Sequence, residues 1–231
     1  MIPLKDNIPS FKKPVATYVL IFINTIIYLF QFLLPSRLEE IFVYRYGFIP
    51  ATFLKAIAEH GLQAGDLYPF FTSMFIHGNW THLISNMWIL WLFGDNIEDM
   101  LGHLRFILFY LLCGFFAMLS HFIFYSNSFI PAIGASGAIA GVMGAYFVLF
   151  PYSRIITFVP VLFMPLFVRI PALIYLAVWF LIQLYNGAVS SVLGGRGSGV
   201  AWWAHIGGFL SGILLLKLLY TRRYRRSIYY E

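Results

Sequence analysis

Four residues of this 231-residue chain carry most of its chemical potential: Ser136, His205, His82 and Asn86. Ser136 sits in the string Gly134-Ala135-Ser136-Gly137, flanked by glycines as nucleophilic serines are on the sharp turns of serine hydrolases. Alone that string is weak, because Gly137, Gly141 and Ala145 also have the small-residue spacing that lets membrane helices pack closely. His205 follows Trp202-Trp203-Ala204 and precedes Gly207 and Gly208, and Ala204, Gly208 and Gly212 repeat the same spacing. A histidine on such a seam meets whatever the partner helix presents at matching depth. A Ser–His pair can perform acyl transfer, the imidazole taking the hydroxyl proton and later passing it to the leaving amine. His82 and Asn86 are four apart, so they share one helix face about 6 Å along the axis. Both can donate hydrogen bonds, as an oxyanion hole requires, although a polar pair of this kind can also join helices. His77 stands at the loop edge just before them, without a distinct role.

The absences narrow the chemistry. The nine acidic residues are Asp6, Glu39, Glu40, Glu59, Asp66, Asp95, Glu98, Asp99 and Glu231. None lies between residues 133 and 219, the stretch that holds Ser136 and His205, so there is no pair of intramembrane aspartates there and no acid to complete a triad. A His-Glu-x-x-His zinc motif is also missing. Cys113, the one cysteine, lies in an apolar run, which leaves neither a disulfide framework nor a cysteine metal site.

Composition fixes the medium that must hold these groups. The chain is 61% hydrophobic, 20% aromatic and 10% charged, with a mean hydropathy of +0.81. A soluble domain is about 45–50% apolar and about 25% charged, so a soluble globular protein is excluded. Apolar runs long enough to span a membrane, roughly 20 residues each, are expected at about 14–34, 79–93, 104–125, 133–150, 171–185 and 200–219. Together they predict an all-α bundle of six spans in a single domain, 1–231. The mixed segment Pro35–Gly78 is expected to lie on the membrane surface. Gly94–Gly102 reads as a charged turn, Ile155–Val168 as a stretch broken by Pro160 and Pro165, and Gly187–Gly199 as a flexible loop. No cleavable leader is expected at the polar N-terminus.

Orientation follows from the basic residues. With six spans, one side carries Lys5, Lys12, Lys13, Arg105, Arg154, Arg169, Lys217 and the arginines at 222, 223, 225 and 226, eleven of the fifteen. Both termini are therefore expected on the cytoplasmic side, and spans 2, 4 and 6 begin at the outer face. That brings His82 and Asn86, Ser136, and His205 to one depth in one leaflet. Polar groups in hydrocarbon normally face the bundle interior or a water-filled cavity.

Taken together, Gly134-Ala135-Ser136-Gly137, His82-x-x-x-Asn86 and Ala204-His205-x-x-Gly208 resemble the motifs of rhomboid intramembrane serine proteases. The likeness covers nearly the whole chain and extends to Gly94-Asp95-Asn96-Ile97-Glu98 and Gly102. It implies Ser136 as nucleophile, His205 as base, His82 and Asn86 as oxyanion stabilisers, no cofactor and no metal. It also implies single-span membrane proteins as substrates, in a bacterial or archaeal cell membrane, with no nucleic-acid partner. Trp179 and Phe180 on span 5 are the candidates for a lateral gate to lipid. Two features depart from the family pattern: Pro35–Gly78 holds no Trp-Arg pair, and Ala140 stands where a tyrosine often packs under the base. Trp202, Trp203 and Phe209 are the neighbours available to brace His205. A relative that binds transmembrane segments without cutting them is the rival reading, and possession of both Ser136 and His205 argues against it. A small transporter would need an ion-coordinating site in broken helices, which spans 4 and 6 do not offer.

Overall fold

A computed structural model describes residues 1–161, 164–192 and 199–220. Arg196, the arginines beyond 220 and most of the expected glycine loop lie outside the described residues. Helices α1 (Val15–Phe32), α2 (Ser36–Tyr46), α3 (Pro50–His60), α4 (Tyr68–Thr72), α5 (Trp80–Leu101), α6 (His103–Tyr125), α7 (Ser136–Leu149), α8 (Ala172–Val192) and α9 (Trp202–Leu219) make up most of the molecule. Among them α1, α6, α8 and α9 are long and apolar enough to cross a membrane. The protein is an integral membrane protein.

The shortest bundle helix lies at the centre. Every residue of α7 from Gly137 to Tyr146 is buried, as expected of a helix that is apolar on all sides. Its close neighbours are admitted by missing side chains. A Cβ at Gly208 would lie 2.0 Å from the Gly137 carbonyl oxygen, and one at Gly212 would lie 2.0 Å from that of Gly141. Backbones of α7 and α9 therefore touch along the seam that the small-residue spacing predicts. Gly137 meets Ala117 and Gly141 meets Cys113 of α6 in the same way.

Around this centre the long segment 35–78 forms α2, α3 and α4. Its aromatics Phe48, Phe53 and Phe70 pack with Phe122 of α6, and a single bridge joins Phe48 to Ala132. The segment thereby props the loop that leads into Ser136.

Two expectations about connections are corrected. The residues read as a charged turn are the last turns of α5, which runs on to Leu101 and ends at Gly102 with φ +79°. The carboxylates of Glu98 and Asp99 are met by the N-terminal part of the chain. The Glu98 side chain accepts from the backbone N–H groups of Ala16 (2.8 Å) and Thr17 (2.7 Å) and from the Thr17 hydroxyl (2.7 Å), satisfying the open first turn of α1. His103 Nδ1 also contacts Glu98.

The chain is mostly helical, as expected, but not all-α. The proline-interrupted stretch after α7 is a hairpin of β2 (Arg154–Val161) and β3 (Met164–Pro171), joined by β1 (Ile2–Lys5) into an antiparallel sheet ordered β1-β2-β3. Alternating β-branched and aromatic residues suit a pleated surface, and the prolines deny the segment a helical ladder. The first six residues of the expected loop, 187–192, are helical instead, part of α8.

The sheet is tied to α5 along its length. Asp99 accepts from the N–H groups of Phe11 (2.5 Å) and Lys12 (3.0 Å), Asn96 donates to Asp6 (3.0 Å), and the Trp88 indole donates to the Pro3 carbonyl (2.6 Å). The N-terminal segment thus runs parallel to α5, starting at a level about 9 Å from His82 along the helix axis.

Candidate active site

Ser136 is the first residue of α7, and His205 lies in the first turn of α9. The glycine seam brings those two helix starts together, and His205 Nε2 stands 2.8 Å from Ser136 Oγ. The other ring nitrogen, Nδ1, lies 2.9 Å from Gln183 Oε1 on α8. A glutamine Oε1 only accepts, so Nδ1 must carry the proton and Nε2 is left to accept from the serine hydroxyl. Gln183 is in turn held by its own amide, which donates to the Trp179 carbonyl at 3.1 Å. Geometry and tautomer both suit proton transfer from Ser136 to His205.

Gln183 was not singled out by sequence reasoning. Its signal was available: an amide in an otherwise apolar run is costly unless it has a partner. Of the neighbours considered, Trp202 stands edge-on to the imidazole at 6.2 Å. Trp203 stacks on Phe124 at 3.4 Å, and Phe209 stacks on Phe180 at 4.7 Å. Ala140, in the place of the family's tyrosine, is buried at the α9 seam near Gly208.

His82 and Asn86 reach the same place from α5. Asn79 caps that helix, its side chain accepting from the His82 N–H at 2.8 Å. Gly134 marks their position: a Cβ there would fall 2.6 Å from His82 Cε1 and Nε2 and 3.7 Å from Asn86 Nδ2. Its φ of +116° suits glycine alone, and its N–H donates to the Ser73 carbonyl at 2.8 Å. The Gly78 N–H approaches His82 Nδ1 at 3.5 Å, leaving Nε2 as the ring donor on the Gly134 side. The Asn86 amide nitrogen is buried and has no hydrogen-bond partner, a donor available to a developing negative charge. The first N–H groups of α7 are further open donors beside Ser136.

His77 is fully buried behind His82, their rings 5.0 Å apart and near perpendicular. Gln31 pins its backbone, donating to the His77 carbonyl at 2.8 Å. Burial, with His82 beside it, lowers His77 to about 3, so it is neutral wherever the protein works and contributes bulk rather than charge. Trp179 and Phe180 are half-buried against α9, Trp179 with its ring 6.0 Å from that of His205. A cavity of about 500 Å³ opens at this end, lined by His121, Tyr125, the loop 126–132, Ser190 and Ser191. Neither Ser136 nor His205 forms its wall. Among the described residues no cluster of His, Cys, Asp and Glu could hold a metal ion.

The chain matches the rhomboid domain over residues 64–222, which runs from before α4 through α9. It is 30% identical over 162 residues to Rhomboid protein 1, mitochondrial, of Saccharomyces cerevisiae, covering 67% of this chain and 43% of that protein. It is 34% identical to RHOMBOID-like protein 6, mitochondrial, of Arabidopsis thaliana over 36% of this chain and 27% of the relative. The human Presenilin-associated rhomboid-like protein, mitochondrial, is 33% identical over 43% of this chain and 26% of its own length. The chain thus spans about a quarter to under half the length of these relatives. It belongs to the rhomboid family.

Proposed function

We propose that this protein is an intramembrane serine endopeptidase that cuts membrane-anchored proteins within or near their transmembrane segment. The observation that carries the proposal is the chain of contacts Gln183–His205–Ser136, assembled from three helices inside an apolar bundle. On this reading α1, α5, α6, α7, α8 and α9 span the membrane, with both chain ends on the cytoplasmic side and the helix starts holding Ser136 and His205 toward the outer face.

Ser136 Oγ attacks the scissile carbonyl while its proton passes to His205 Nε2. The charge that develops on the carbonyl oxygen is met by Asn86 Nδ2, His82 Nε2–H and the open N–H groups at the start of α7. Collapse breaks the C–N bond, His205 returns the proton to the leaving amine, and an ester remains on Ser136. Water then attacks that ester, its proton going to His205, and the acid product leaves as Ser136 regains its hydrogen. Gln183 positions the imidazole and its tautomer throughout. Neither metal nor cofactor is needed for these steps.

Labelling of the purified protein by a fluorophosphonate, together with cleavage of a single-span substrate, tests the proposal. Both are expected for the wild type and absent in Ser136→Ala, which should fold because alanine suits a small-residue seam. Cleavage retained by Ser136→Ala would overturn the assignment. A folded wild type that binds single-span helices yet neither labels nor cuts would identify the non-cutting relative.

A further inference from the structure

The sheet has two edges, and they are treated differently. The edge formed by β1 is guarded: Pro3 lacks an N–H, its carbonyl is taken by Trp88, and the register shifts between Pro3 and Lys5. Proline, bulges and covering groups are the usual ways of closing an edge to further pairing. The edge formed by β3 has none of these along its middle. Its prolines, Pro165 and Pro171, lie toward the ends, and the five residues between them all keep an N–H. Pro165 to Arg169 are exposed without a break, Leu166 at 41%, Phe167 at 64% and Val168 at 42%.

The depth of this edge gives it meaning. Phe167 pairs with Phe158, which pairs with Ile2, and Val168 pairs with Thr157, which pairs with Pro3. These rows stand at the level of Trp88, about 9 Å along α5 from His82 toward the end where the sheet is rooted. On the six-span reading that level is inside the bilayer, where an open sheet edge facing lipid is not tolerated because its N–H and C=O groups lack water. A substrate helix has the complementary problem. To be cut it must give up internal hydrogen bonds near the scissile bond, and the freed groups on the inward side also lack water.

We propose that the free edge of β3 is a docking strand for substrate: an extended, uncharged stretch of the substrate's own chain, lying on the inward side of the cut, pairs with residues 166–170 and continues the sheet. This rests on the protease reading above. It assigns β3 a part in admitting only segments that can unwind and present a strand.

In an antiparallel pair each residue directs its N–H and C=O together, and neighbours alternate. One of Phe167 and Val168 therefore points its amide at β2 and the other points outward. The test uses the full chain in lipid nanodiscs with a single-span polypeptide that the wild type cleaves. In a Ser136→Ala background, benzoylphenylalanine replacing Phe167 should form light-induced adducts with substrate residues on the inward side of the mapped cut. In the active chain, proline at whichever of positions 167 and 168 points outward should lower membrane-substrate turnover, relative to fluorophosphonate labelling, at least tenfold. Phe167→Ala, which keeps the N–H, should lower that ratio less. Adducts only between two copies of this chain, or only with lipid, would overturn the proposal, as would ratios unaffected by proline at both positions. Failure of the wild type to label would instead overturn the protease reading itself.

Discussion

At the scale of single residues, the proposed chemistry depends on which nitrogen of His205 carries a proton. Gln183 decides this by accepting from Nδ1 at 2.9 Å. A hydrogen bond to a group that gains charge is worth about 1.5–3 kcal/mol, so Gln183→Leu should lower kcat/KM about 10- to 150-fold while Ser136 remains present. Gln183→Glu separates positioning from packing. A carboxylate beside the imidazole favours its charged form, and the proposed mechanism uses neutral His205 as the base, so the acidic limb of the pH–activity profile should move to higher pH. His77 is neutral above about pH 3, which leaves that limb to other groups. An unmoved limb in Gln183→Glu would show that the contact does not tune the base. For the oxyanion donors, Asn86→Ala should cost about 100- to 1000-fold in kcat, and Gly134→Ala should also impair turnover because its Cβ would meet the His82 ring. Loss of stability with kinetics intact would mean that Asn86 serves only to join helices.

Elements place those residues by backbone contact and by buried polar ties. The α7–α9 seam leaves no room for a Cβ at Gly208 or Gly212, which sets the separation of Ser136 and His205 more firmly than any side chain could. The N-terminal strand is held by a different device. Asp6 accepts from the Tyr146 hydroxyl and from Asn96, with Asp95 bonded to the same Asn96 amide. Burial raises the Asp6 carboxyl above its usual range, outweighing the hydrogen bond from Tyr146 that lowers it. The folded state therefore holds this proton to higher pH than the unfolded chain does. Attachment of the strand should weaken as pH rises from the ordinary carboxylate pKa through the raised one. Asp6→Asn removes the titration while keeping an oxygen to accept from Tyr146. Its thermal stability should match or exceed wild type above that window and lose that part of the pH dependence, as differential scanning fluorimetry would show. A wild-type pH dependence preserved in Asp6→Asn would place the effect elsewhere.

For the molecule as a whole, the length of α7 sets where the chemistry occurs. Its 14 residues span about 21 Å, short of a hydrocarbon core about 30 Å thick. If its inner end lies at one interface, Ser136 lies about 9 Å below the other. A single-span substrate should then be cut toward the outer leaflet, at small residues with Gly- or Pro-type helix weakeners inward of the cut. Mass-spectrometric mapping of the cleavage site, followed by Leu replacement of those weakeners, checks both parts. Cleavage at the cytoplasmic end, or indifference to the replacements, would count against the orientation or the need to unwind.

How much of this was legible without coordinates depends on the range of the interactions involved. Hydropathy located the long helices, because crossing a membrane is a property of roughly 20 consecutive residues. Small-residue spacing identified the α7–α9 seam, and the motif residues Ser136, His205, His82 and Asn86 were legible because their types are costly in an apolar setting. The sheet was not legible: two prolines in an apolar run signal only that a helix fails there, and β1 and β2 are some 150 residues apart in sequence. Nor was the continuation of α5 through Asp95, Glu98 and Asp99, whose charges read as a turn until the N-terminal segment supplies partners for Glu98 and Asp99. Gln183 was visible as a residue but not as a role, since only the packing of α8 on α9 brings its amide to the His205 ring. Sequence alone determined the medium, the long apolar helices and the candidate reacting groups, which are local properties. Tertiary structure decided the tautomer, the sheet and the buried carboxylates, each of which depends on a partner far away along the chain.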